Sequence, residues 1–254
     1  MRLRQIAFVA KDLAATTDEL CSVLGLEVAY RDPGVAKWGL ENIVVPIGGD
    51  FLEIVSPKQP GTSAGRYIDR RQGDGGYMVI LQVPDALHFR KRLGELGIRA
   101  VATRDQRDYT YTHFHPADVG GFLLSIDQVE PEADWRERLC SWVPAGPQWK
   151  SHLRDDTVRA LVGVELQSDD PVATAELWGR LLERKVESGG GKIRIALEPG
   201  EIRFVKAQDG RGPGISALDI ETADKAKVLA AARARGLQLA PDQIRIVGCR
   251  INLV

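Results

Sequence analysis

The stretch Leu3–Arg31, LRQIAFVAKDLAATTDELCSVLGLEVAYR, decides how the rest of the chain is read. Its apolar run Ile6–Ala10 is suited to a strand. Asp12 then stands where a helix N-cap belongs, and Leu13, Leu20, Val23 and Leu24 follow at helical spacing. Gly25 ends the helix and Leu26–Tyr30 begins a second strand. The start and stop signals have a mechanism: an Asp side chain satisfies orphan amides, and Gly tolerates left-handed backbone.

Working outward, the same strand, helix, strand order recurs three times. Tyr77 onward reads MVILQV, then Pro84-Asp85, an amphipathic run through Phe89, Leu93 and Leu96, Gly97, and a strand from Ile98. Leu161 onward reads VGVELQS, Asp170-Pro171, a helix through Leu177, Leu181 and Leu182, and a short strand at Lys185-Val186. Ile215 onward reads SALDIE, with Thr222 as the expected cap, a helix through Val228 and Ala232, Gly236, and Leu237–Leu239. A repeated supersecondary unit predicts an array of similar modules.

Each unit also ends in hairpin chemistry. Gly48-Gly49-Asp50 separates Ile43–Ile47 from Phe51–Val55, and Glu198-Pro199-Gly200 separates Ile193–Leu197 from Ile202–Val205. Turn residues between β-rich runs predict hairpins. The second unit offers Thr110–Phe114 with Phe122–Ile126, and the fourth a cropped pair around Gly248. The expected architecture is therefore α+β, with four βαβββ modules.

This order, with FLEIVSP at Phe51–Pro57, GRYIDRRQGDGG at Gly65–Gly76 and HPADVGGFLLSID at His115–Asp127, resembles the vicinal oxygen chelate superfamily, nearest to its methylmalonyl-CoA epimerase-like, glyoxalase-like branch. The resemblance implies two glyoxalase-like domains with curved mixed sheets, at 1–128 and 158–254, the second with shorter, degenerate modules. It is a fold signal first, because this fold hosts unrelated chemistries.

Composition narrows the function classes. The 254 residues carry a formal net charge of -1, without a basic stripe interleaved with aromatics, so no nucleic-acid partner is expected. No apolar run is long enough to span a membrane. The chain begins without a signal-peptide pattern, and its 3 cysteines, Cys21, Cys140 and Cys249, are widely spaced, which suits a reducing cytoplasm. Four modules in one chain can mimic a dimer of two-module subunits, so a monomer or weak homodimer is expected.

Residues 129–157 separate the halves. This linker is rich in charge and Pro, yet holds Trp135, Trp142 and Trp149. Exposed tryptophans leave large apolar surfaces in water, so the segment should be pinned, either packed between the halves or laid as a lid over a pocket. Lys58–Gly76 is a second long connection that could border a site.

The resemblance further implies a divalent metal held by one residue on the first strand and one on the last strand of each participating module. Counting from the helix-capping residue puts Gln5 and Met78, or Tyr77, at the first-strand positions, then Gly163 and Ile215. The last-strand positions are Glu53, Ser125, Arg203 and Asn252. Gln and Glu are acceptable ligands, but Met with Ser, or Ile with Asn, completes the set poorly for a hard dication, and Arg203 puts a cation where the metal would sit. No metal or other cofactor is expected.

Without a metal, Glu53 on a mostly apolar strand is the expected proton-transfer group, desolvation raising its pKa. Gln5, Ser125 or a histidine would stabilise a developing oxyanion. The bland alternative pairs Glu53 with an arginine such as Arg66 or Arg70. The other notable segment is YTYTHFHP, Tyr109–Pro116, where strand alternation places Tyr109, Tyr111, His113 and His115 on one face. That face could line a pocket, with His113 the better catalytic candidate and His115 closer to a structural turn residue.

Two readings follow. One is a lyase or isomerase of the glyoxalase and epimerase type acting on a small carbonyl or carboxylate compound, with Glu53 and His113 as catalytic residues and Gln5, Met78, Tyr109, Tyr111, His115 and Ser125 around the ligand. The other is a non-catalytic binding or sequestering protein of the drug-resistance type.

Overall fold

The computed structural model describes residues 1–130 and 134–254. Its first half runs β1 (Arg2–Val9), α1 (Leu13–Leu24), β2 (Leu40–Ile47), β3 (Asp50–Pro57), α2 (Ser63–Arg71), β4 (Gly75–Gln82), α3 (Ala86–Glu95), β5 (Ala100–Asp105), β6 (Tyr109–Phe114), α4 (Pro116–Val119) and β7 (Leu123–Val129). The second runs β8 (Val158–Ser168), α5 (Pro171–Leu182), β9 (Val186–Gly189), β10 (Lys192–Ala196), β11 (Glu201–Lys206), β12 (Gly214–Thr222), α6 (Lys225–Ala234), β13 (Gln238–Ala240), β14 (Gln243–Ile246) and β15 (Cys249–Leu253). The fold is α+β.

The four module helices start in the same way. Asp12, Asp85, Asp170 and Asp224 each accept a hydrogen bond from the backbone N–H three residues on, which satisfies one orphan donor of the first turn. The fourth cap is therefore Asp224 and not Thr222, because only Asp224 sits where its carboxylate reaches the Lys227 amide. Of the segment expected as a strand at Leu26–Tyr30, Tyr30 alone forms a bridge, to Val44.

Each module lays its first strand parallel to its last: β1 on β3, β4 on β7, β8 on β11, β12 on β15. The first strands of modules one and two pair antiparallel, as do those of modules three and four. A single bridge, Gly76 to Ile215, joins the two arrays into one open curved sheet. Glycine is required there, since a Cβ on Gly76 would lie 2.5 Å from the Ile215 Cβ.

One face of the sheet is covered by helices over a core that runs through both halves and includes Ile6, Phe8, Leu52, Ile54, Leu124, Trp178, Leu218 and Ile251. The opposite face of the first half has its own cluster, with Phe51, Met78, Tyr109, Tyr111, Trp142 and Trp149. The last two come from the linker. Trp142 and Trp149 are 1% and 3% exposed, whereas Trp135 is partly exposed under Arg136. Each buried indole contributes on the order of 5 kcal/mol of gross hydrophobic stabilisation. The linker is thus a strap laid along the first half's cleft face.

Candidate functional site

A register shift in β1 builds the site. Leu3 pairs with Leu81 but Gln5 pairs with Ile80, so Arg4 is an extra residue. A bulge of this kind re-aims side chains, and both Arg4 and Gln5 reach the cleft face. Arg4 lies over Phe51 and Trp142, and Gln5 reaches Glu53.

Glu53 projects from β3 beside Ala7 of β1 and Val44 of β2. Its Oε2 accepts from Gln5 Nε2 at 2.8 Å and its Oε1 from Asn42 Nδ2 at 2.6 Å. Both amides are oriented from behind: Gln5 Oε1 accepts the Trp142 indole N–H at 2.7 Å, and Asn42 Oδ1 accepts the Asp32 amide at 2.8 Å. Desolvation pushes the Glu53 carboxyl up to about 7; the two amide bonds oppose that rise and the Asp32 charge adds to it. Neither Arg66 nor Arg70 pairs with it. Arg66 bonds the Gly61 carbonyl and Arg70 lies over Tyr67. Glu53 is buried, with 8% of the residue exposed.

A second carboxyl shares this face. Asp127 on β7 is fully buried and accepts from the Ser125 hydroxyl and the Tyr109 phenol. Desolvation raises it to about 7, against the pull of those two bonds. Tyr109 is itself held well above the usual phenol range, by burial first, then by Asp127, with Tyr111 and Glu53 adding to the effect.

The remaining candidates separate into two groups. Tyr111 stacks on His113 with ring centroids 4.4 Å apart, and Trp38 stands 5.9 Å from the same imidazole. Burial, with Lys37 nearby, pushes His113 down to about 4, so it is neutral at physiological pH. Met78 lies in the same apolar cluster. His115 does not join them. It caps α4, its Nδ1 accepting from the Ala117 amide and from Arg99, both at 3.1 Å. The strand ends at Phe114, so the alternation that would carry His115 onto the Tyr109 face stops one residue early.

At the positions that the superfamily pattern marks, the donors are already engaged. The Gln5 oxygen holds Trp142, the Ser125 hydroxyl is given to Asp127, and Met78 offers only a thioether. Among the described residues no three His, Cys, Asp or Glu side chains gather as a cation site. The equivalent face of the second half is an ion network. Arg203 bonds Asp219, with Glu165 and Glu201 at 3.6 and 3.4 Å, and Asn252 donates to Asp219 at 2.7 Å. Gly163 is pressed against Asp219, and Ile215 is buried against Gly76.

Sequence reasoning overlooked Asn42, Asp127, Arg4 and the part played by Trp142. A signal existed for two of them: Asp127 lies two residues after Ser125 on one strand, hence on its face, and Asn42 is a lone amide two residues before Val44, which pairs with Glu53. The bulge at Arg4 and the path of the strap carry no sequence signature.

The chain belongs to the glyoxalase-like domain family, whose model matches residues 6–182, within the vicinal oxygen chelate superfamily. It is 26% identical over 133 residues to the ethylmalonyl-CoA/methylmalonyl-CoA epimerase of Cereibacter sphaeroides, an alignment spanning 50% of this chain and 98% of that protein. Among solved structures, a hypothetical protein from Staphylococcus aureus matches at TM-score 0.66 and 14% identity, over 99% of this chain and 98% of its own. A mutant of 4-hydroxymandelate synthase from Streptomyces coelicolor matches at TM-score 0.67 and 14% identity, over 94% of this chain and 76% of its own. At that identity the two structures speak for the fold alone. No helix among the described residues is long and apolar enough to cross a membrane.

Proposed function

We propose that the first half acts on a small carbonyl or carboxylate compound by moving a proton at the carbon beside the carbonyl, with Glu53 as the base. The observation that carries this reading is the setting of Glu53: buried, raised to about 7, and held by two neutral amides with no cation among its hydrogen-bond partners. A buried carboxylate kept only for structure is ordinarily paired with a positive charge. One tuned near neutrality fits general base catalysis.

The roles follow from the chemistry of each group. Glu53 takes the proton. Gln5 and Asn42 fix the carboxylate, and each amide nitrogen has a second hydrogen to offer an enolate oxygen. His113, as a neutral imidazole stacked on Tyr111, adds a donor near Trp38. Met78, Tyr109, Tyr111 and Ser125 shape the pocket, and His115 keeps a turn. The donor set does not fit a hard dication, with a single charged ligand and its neutral partners spent elsewhere, so no step is routed through a metal.

We take the chain as two glyoxalase-like domains, 1–128 and 158–254, joined by 129–157, because apart from the Gly76–Ile215 bridge the strands pair within each half. The second is read as structural, since Arg203 and its carboxylates satisfy one another.

The test uses methylmalonyl-CoA and ethylmalonyl-CoA, the compounds in the name of the Cereibacter relative, incubated with the protein in D2O. Deuterium entering at C2 faster than in buffer, and lost in Glu53→Gln, supports the assignment; uptake that survives Glu53→Gln removes it. A second reading, capture without conversion, is favoured by the indole already filling the cleft. It expects a ligand that binds and is recovered unchanged.

A further inference from the structure

Trp142 lies between the Glu53 side and the Asp127 side of the cleft and makes the contacts that a bound molecule would make. Its ring stacks over Phe51 at 6.2 Å and 15°, meets the edge of Tyr109 at 6.0 Å and 71°, and gives its N–H to Gln5. Two residues earlier in the strap, the Cys140 carbonyl accepts from Arg4 Nη2 at 2.8 Å.

Arg4 is fully buried, and its Nε finds no acceptor among the described residues. Its Nη atoms donate to the Gly49, Arg138 and Cys140 carbonyls, and the nearby buried carboxylate, Asp50, is paired at 2.6 Å with a second buried guanidinium, Arg2. Two buried cations against one anion leave an excess of positive charge, which an incoming carboxylate would offset.

The strap is not woven into the sheet. Between Asp134 and Asp156, every backbone–backbone hydrogen bond among the described residues is internal to the segment. Its polar ties to the body run through side chains: Arg2 and Arg4 to its carbonyls, Arg138 to Arg159, Trp142 to Gln5, Cys140 to Gln82, His152 and Arg154 to Glu27, and Asp156 to Lys227. No sheet ladder breaks if it lifts.

We propose that Cys140–Trp142 is an intramolecular stand-in for the ligand, and that the cleft takes a planar aromatic carboxylic acid with an N–H or O–H donor on the ring. The ring replaces the indole on Phe51, the ring donor bonds Gln5, and the carboxylate meets Arg4. This rests on reading the Glu53 face as the ligand cleft, and not on proton transfer by Glu53.

The experiment labels the 5 tryptophans with 5-fluorotryptophan, assigns the Trp142 fluorine signal with Trp142→Phe, and titrates indole-3-carboxylate, indole and cyclohexanecarboxylate at millimolar concentration. Indole-3-carboxylate is expected to bring the Trp142 signal to a solvent-exposed position, sensed by its H2O/D2O shift, while Trp178 stays buried. Indole and cyclohexanecarboxylate bind more weakly, lacking the carboxylate and the ring respectively. Trp142→Ala, which removes the competing occupant, binds indole-3-carboxylate about tenfold tighter or more. Trp142→Phe, which keeps the ring but loses the bond to Gln5, shows a smaller gain in the same direction if the alanine variant fails to fold. A Trp142 signal that stays buried with every probe, or variants that bind no more tightly than the parent, overturns the proposal. Glu53→Gln separates the two readings, because it should abolish deuterium exchange and leave displacement of Trp142 intact.

Discussion

Gln5 receives the indole N–H of Trp142 at 2.7 Å and passes its own amide N–H to Glu53 at 2.8 Å, so one side chain links the strap to the carboxyl beneath it. A superfamily pattern that marks Gln5 as a metal ligand is met here by an amide whose oxygen and nitrogen are both in use. Gln5→Leu should therefore do more than trim a contact. It strands a buried indole N–H and removes one of the two bonds on Glu53, for a loss of about 2–3 kcal/mol in urea unfolding, and it raises the Glu53 pKa further. An unchanged urea midpoint would contradict the linkage.

The two raised carboxyls set a direction for stability against pH. Glu53 and Asp127 stand near 7 in the folded chain and near ordinary carboxylate values when unfolded. Below the unfolded pKa both states hold the proton and the folded chain keeps its full stability. Between there and about pH 7 the folded state binds more protons than the unfolded one, so stability falls as pH rises. His113, lowered to about 4, acts in the opposite sense, its contribution being lost as pH falls from the ordinary imidazole range toward 4. Urea unfolding at pH 5 and pH 8 should show Glu53→Gln with Asp127→Asn gaining on the parent as pH rises. An equal difference at both values would refute the assigned shifts.

Asp127 distinguishes acceptor from charge. Asp127→Asn keeps an oxygen for Tyr109 or Ser125 and should cost little, whereas Asp127→Leu leaves the buried Tyr109 hydroxyl unsatisfied and Ser125 with only the Thr112 carbonyl at 3.5 Å, and should cost about 2–4 kcal/mol. Thermal unfolding that ranks the two alike would show that the hydroxyl pair contributes no more than packing.

The pairing of modules one with two and three with four within a single chain leaves no unmatched first strand at the centre of the sheet. Sedimentation is expected to show a monomer or a weak, concentration-dependent dimer. A tight dimer at micromolar concentration would refute this.

The sequence by itself determined the modules. Asp at each module helix start, Gly at the turns and apolar residues at period 3.6 or 2 are local signals, and they located the module strands, helices and hairpins, but they read α2 at Ser63–Arg71 as part of a connection, Leu26–Tyr30 as a strand and Thr222 as the cap in place of Asp224. Strand alternation likewise placed Glu53 and the Tyr109–His113 face. Tertiary structure alone decided the contents of the cleft. The bulge that turns Arg4 beside Gln5, the arrival of Trp142 from 137 residues away and the bond of the Tyr109 phenol to Asp127 depend on contacts distant in sequence. Such contacts follow from burial and shape complementarity, which no local pattern encodes.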